Sequence, residues 1–197
     1  MYYLTAMSSD ENQVFLLSDL TRETEDRLGW HIAFGTIFAQ AASLCLEVNK
    51  KDFENYLTME GDYDNQFLIK RDPVSDSDKR FHADMQRSVE FGAYGISSLI
   101  VPYLTGLTVI EVSVKGTGFD FWLGTEGETG NLFQKKARLE VSGILNGNPS
   151  QVKARVKTKL KQISPTDKLP YPGFVSIVEF SSFKMVLLQK KVGDINE

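Results

Sequence analysis

The chain has 197 residues, 42% hydrophobic and 24% charged, with a formal net charge of −4. That length suffices for one domain with its own core, without disulfide or metal staples. The lone cysteine, Cys45, excludes an internal disulfide framework and fits a reducing compartment, and the composition is that of a soluble globular protein.

Met1-Tyr2-Tyr3-Leu4-Thr5 lacks the basic start and apolar run of a signal peptide, so a cytoplasmic location is expected. Asn12 to Leu17 suits a short strand. Thr24 or a neighbour can cap a helix through the apolar stretch Trp30–Val48. His31, Gln40 and Glu47 interrupt that stretch, so it reads as a core helix with Cys45 buried in it, not a membrane span. Asp52–Met59 reads as another short helix. Gly61–Asp84 is polar, with Asp72-Pro73 and Ser75-Asp76-Ser77-Asp78, and reads as a loop and the best boundary. Residues 1–84 are therefore expected to form a helical and hairpin extension packed on a core of residues 85–197, the two making one structural unit.

The second half is more regular. Met85, Val89, Ala93, Ile96 and Ile100 recur at helical spacing, with Gly106 suited to the helix end. Thr108–Val114 alternates as a strand, placing Ile110, Val112 and Val114 on one face. After a Lys115–Gly118 turn, Phe119, Phe121 and Leu123 face one way and Asp120 and Trp122 the other. Gly124–Asn131 reads as an exposed loop. In the next strand Arg138, Glu140 and Ser142 share a face opposite Leu139 and Val141. Asn148-Pro149 starts a helix whose stripe is Val152, Val156, Leu160 and Ile163. Phe174–Phe180 reads as a central strand and Lys184–Lys191 as an edge strand. The fold class is α/β (α+β), with a central mixed sheet flanked by helices.

Charge is spread unevenly. Residues 1–90 carry 17 acidic and 9 basic side chains, a balance of −8, whereas residues 131–170 carry 9 basic and 2 acidic, a balance of +7. If the strands holding Asp120 and Glu140 pair as a hairpin, two carboxylates share a sheet within a basic field. Such a pair suits a divalent cation, and the field suits a phosphodiester. His31 and His82 have no metal-ligand spacing. Ser98 and Ser142 have no nucleophile elbow. Trp122 suits either stacking on a base or packing under the second helix.

The order helix, three strands, helix, strand over residues 85–181, with acids on the second and third strands, resembles the PD-(D/E)XK nuclease superfamily. The resemblance implies a restriction-endonuclease-like core and Mg²⁺ (or Mn²⁺) held by Asp120 and Glu140, with Glu90 of the first helix as a further acid. It implies hydrolysis of phosphodiester bonds, DNA being favoured over RNA, in a setting such as restriction or defence. No membrane partner is expected; a homodimer or a partner subunit is left open. Where the superfamily has a lysine two residues after the second acid, this chain has Ser142. Relocated candidates are Lys153 and Lys157 on the following helix, and Lys115. The same change also fits a non-cleaving relative that serves as an interaction or regulatory subunit.

Overall fold

The computed structural model describes residues 13–22, 32–125, 134–166 and 168–191. Trp30, His31, Thr24 and most of the Gly124–Asn131 loop lie outside them. In chain order the elements are β1 (Val14–Leu16), α1 (Asp19–Arg22), α2 (Ile32–Val48), β2 (Glu54–Gly61), β3 (Gln66–Lys70) and α3 (Asp76–Phe81). Then follow α4 (Met85–Thr105), β4 (Thr108–Val112), β5 (Phe121–Thr125), β6 (Gln134–Ile144), α5 (Pro149–Ile163), a 3₁₀ turn (Ser164–Thr166), β7 (Gly173–Glu179) and β8 (Lys184–Lys190).

The strands make one mixed sheet of eight, in the order β1-β3-β2-β8-β7-β6-β5-β4. Helices α2 and α4 cover one face: Phe38, Ala42 and Cys45 of α2 and Val89, Ala93 and Ile96 of α4 pack on Leu57, Phe67, Leu123, Leu139 and Leu187. Helix α5 covers the other face, where Ile163 packs on Phe119, Val175 and Ile177, with Val152, Val156 and Leu160 alongside. Every residue of β7 is buried, because it has a helical layer on each side; that is why its sequence is a nearly continuous apolar run.

The helix boundaries follow local chemistry. Asp84 caps α4 by accepting from the backbone N–H groups of Gln86 and Arg87, and Gly106 closes it at φ +68°. Asn148 caps α5 in a reciprocal box with Gln151, and Pro149 fills the first turn. Cys45 is fully buried, and burial pushes its thiol up to about 12. His82 is buried too, and desolvation lowers its imidazole below the usual value.

Four stretches differ from the sequence expectation. Asp52–Met59 is not a helix: β2 begins at Glu54, with Leu57 and Met59 turned into the core at strand spacing. The polar Gly61–Asp84 stretch holds both β3 and α3, so the strands of the first half continue the sheet of the second. Strand β8 is interior rather than at an edge, because β2 pairs parallel to it. Its lysines sit only at its ends, Lys184 on Glu60 and Lys190 on Ser164, while Met185 and Leu187 are fully buried. Finally, β4 is an edge strand with a register shift between Val109 and Glu111. The shift buries Val109 and Ile110 together and leaves Val112 and Val114 exposed. Among the described residues no helix is long and apolar enough to cross a membrane.

Candidate active site

Strands β5 and β6 pair antiparallel from Thr125↔Gln134 to Phe121↔Leu139 and then part. Asp120 stands at the fork, one residue before β5. Its backbone N–H still donates to the Leu139 carbonyl (2.9 Å), but the Val141 N–H donates to the Asp120 carboxylate, Oδ2, at 2.8 Å. A side-chain oxygen thus stands in for a backbone acceptor where the sheet opens. The Lys115–Asp120 turn is held against α5 by a close approach: a Cβ on Gly118, which has φ +84°, would lie 2.3 Å from the Gln162 carbonyl.

Glu140 lies beside this fork on β6. Strand alternation turns Leu139 and Val141 into the α2–α4 core and sends Arg138, Glu140 and Ser142 toward α5. Glu140 is fully buried. Its Oε1 accepts from Gln162 Nε2 (2.9 Å) and pairs with the Lys159 ammonium, while Oε2 is buried without a hydrogen-bond partner. Desolvation first, and the Asp120 charge second, push its carboxyl up to about 7, with Lys159 opposing. Burial also raises Asp120, against the pull of the Val141 N–H and Lys159. Two neighbouring acids that resist joint ionisation are what sheet geometry plus burial produces here.

Tyr94 links a third acid to the pair. Its hydroxyl lies 2.7 Å from Glu90 Oε1 and 3.1 Å from Asp120 Oδ1. A phenol has one proton, so both carboxylates compete for it. Burial, then the Asp120 charge, drives that hydroxyl well above the ordinary tyrosine range. Glu90 itself is exposed on α4 and reaches Asp120 through Tyr94. Helix α4 sits close enough for this because Gly143 has no side chain: a Cβ there would lie 2.2 Å from the Val89 carbonyl.

The cations come from α5. Arg155 donates from Nη1 to Ser142 Oγ at 2.7 Å, and Lys159, one turn on, pairs with Glu140. Gln162 completes the same face at i+7. Lys153 instead lines a hollow with Glu60, Glu179 and Lys184 on the opposite flank, and Lys157 is exposed. Helical rotation accounts for this, since Lys157 precedes Lys159 by only two residues and so points about 200° away. Lys115 lines a different hollow together with Asp120. Trp122 packs edge-on against Phe119 and Tyr171, with Lys135 over its ring at 4.5 Å.

The structure thus brings Asp120 and Glu140, both candidates from the sequence, together with Lys159, Arg155, Gln162 and Tyr94, which were not. Arg155, Lys159 and Gln162 share one face of α5, and only the structure shows that this face meets the polar face of β6. Among the described residues no three His, Cys, Asp or Glu side chains come together as a metal-binding group; Asp120 and Glu140 stand as a pair. Compared with known proteins, the chain matches no family model, no curated protein and no solved structure.

Proposed function

We propose that this is a nuclease-like protein with a restriction-endonuclease-like core that hydrolyses phosphodiester bonds in DNA with Mg²⁺ or Mn²⁺. The single observation that carries the reading is the cluster Asp120–Glu140–Lys159 at the fork between β5 and β6. The order α4, β4, β5, β6, α5, β7, with a meander followed by a parallel β6–β7 pair, supports the same core.

The donor set suits the metal. Mg²⁺ is commonly held by one or two carboxylates, the remaining positions going to water and substrate phosphate. Asp120 and Glu140 supply two hard oxygen donors, and Glu140 Oε2 is buried with no competing hydrogen bond. Glu90 joins through Tyr94 as the outer acid. A bound Mg²⁺ would supply Lewis-acid polarisation of the phosphate and an acidified water.

The chain's own groups have definable roles. The Val141 N–H and Tyr94 fix the Asp120 carboxylate, and Gln162 fixes Glu140, so the pair is preorganised. Lys159 supplies the positive charge that Ser142 cannot, and Arg155 adds a guanidinium against Ser142 itself. The five basic side chains of α5 (Lys153, Arg155, Lys157, Lys159, Lys161) provide a field for the phosphate backbone. The restriction or defence setting follows from the resemblance alone.

The test is cleavage of supercoiled plasmid DNA with and without Mg²⁺ by wild type and Asp120→Asn. Metal-dependent nicking lost in the variant is expected; undiminished nicking by Asp120→Asn overturns the assignment. A second reading, a non-cleaving interaction or regulatory subunit, is favoured by Ser142 at the usual lysine position. It predicts DNA or protein binding with no nicking by wild type.

A further inference from the structure

A hollow of about 440 Å³ opens beside Asp120, between α2, α4 and the Val112–Phe121 turn. Its wall is aromatic. Phe34, Phe38, Phe91 and Tyr94 line it, with Phe34–Phe38 centroids 6.3 Å apart and Phe38–Tyr94 centroids 5.6 Å apart. Phe34, one of its lining residues, is 54% exposed and so open to a ligand. Polar groups also line it: the Lys115 ammonium, Gln162, which bonds Glu140, and Asp120 itself.

On the other side of the Glu90–Tyr94 link lies a second hollow, lined by Gln86, Glu90, Ser142, Arg155 and Lys159. Asp120 thus lines the aromatic hollow, and Lys159, which pairs with Glu140, lines the second one beside Arg155. A nucleotide strand has this same division, flat apolar base faces alternating with anionic phosphates. A phosphate placed at Asp120 leaves an adjoining base free to enter the aromatic recess that Asp120 itself lines. A paired, stacked base cannot enter such a recess without leaving the duplex.

We propose that the aromatic hollow beside Asp120 binds one unpaired nucleobase of the strand presented to the carboxylate pair, so that the substrate class is single-stranded or locally unpaired DNA. This inference rests on the nuclease reading of Asp120 and Glu140. Base–aromatic stacking is tolerant of sequence, so the hollow selects strandedness rather than a particular base.

The experiment measures fluorescence-anisotropy binding in chelator, where no cleavage occurs. The probes are a labelled oligothymidylate, an abasic strand of the same length and a blunt duplex, with wild type, Phe34→Ala and Phe34→Tyr. Cleavage of the oligothymidylate and the plasmid in Mg²⁺ is scored separately. Wild type is expected to prefer the base-bearing strand over both other probes by about tenfold or more. Phe34→Ala loses that preference and Phe34→Tyr keeps it. Equal affinity of wild type for the base-bearing and abasic strands overturns the hollow, as does a preference unchanged in Phe34→Ala, even where plasmid nicking persists. A base preference without any metal-dependent cleavage keeps the hollow as a base site and removes the hydrolytic reading.

Discussion

Glu140 carries an electrostatic signature whose sign is testable. Burial raises its carboxyl from 4.5 to about 7 in the folded chain. A group raised on folding contributes stability that is full below about 4.5 and is lost as pH rises through 7. Glu140→Gln removes that loss, because glutamine keeps the shape without the charge. In metal-free buffer the stability of Glu140→Gln relative to wild type is expected to rise between pH 4.5 and 8, because the unfolded chain releases this proton at lower pH than the folded one. Chemical denaturation across that range checks it; a difference that is flat with pH contradicts the assigned environment. Lys159 makes a second residue-scale prediction. Lys159→Ala is expected to lower kcat for DNA cleavage by roughly 100-fold or more, while Lys153→Ala, on the opposite flank, changes it little. Equal effects of the two would place the cationic role elsewhere.

Single residues also mark the limit of what was legible. Asp120 and Glu140 stood out because each breaks an alternation that otherwise reads apolar. Lys159 did not, since five basic side chains on one helix look alike until the facing strand fixes which turn is inward. Tyr94 was hidden inside a helix stripe, and only the close approach at Gly143 brings it and Glu90 toward Asp120.

At the scale of elements, long helices and β7 were readable because caps and periodicity agree with burial. Helices α4 and α5 begin at Asp84 and Asn148 as their side-chain chemistry dictates. Strand β2 was not readable, because Tyr56, Thr58 and Glu60 alternate with only two apolar residues that reach the core, Leu57 and Met59. A run that short fits a helical turn as well as a strand until β3 and β8 pair with it. The turn before β5 tests how elements hold the site. Gly118→Ala combines a positive φ with a contact of 2.3 Å to the Gln162 carbonyl. It is expected to lower stability by about 1–2 kcal/mol and to cut activity by loosening Asp120 from α5. Denaturant midpoints with kcat measured alongside check this; a fully stable and fully active variant contradicts the packing described.

At the scale of the whole molecule, the position of β8 has the widest consequence. It bonds β7 on one side and β2 on the other, so residues of the first half complete the sheet on which the site is built. Removing residues 1–84 strips β2 from β8 and takes Phe38, Ala42 and Cys45 off the core. The truncated chain is therefore expected not to fold, and the intact chain to unfold in one transition. Calorimetry and circular dichroism of both check it, and an independently folded 85–197 fragment would contradict it. Sequence composition suggested a loop and boundary at Gly61–Asp84 because polar residues gather there, yet the stretch holds β3, whose Phe67 and Ile69 are fully buried within the continuous sheet.

The charge distribution belongs to the same scale. Basic residues gather on α5 beside the buried acids, and acidic residues on the half that carries β1 to β3. On the proposed reading, this polarity would orient a polyanion toward the fork between β5 and β6. The central claim is that Asp120 and Glu140 jointly hold a divalent cation there. Calorimetric titration of Mn²⁺ into wild type and the Asp120→Ala/Glu140→Ala double variant tests it most directly. One saturable site is expected in wild type, and it disappears in the folded double variant. Binding of equal strength in both, or no binding to wild type, would contradict it.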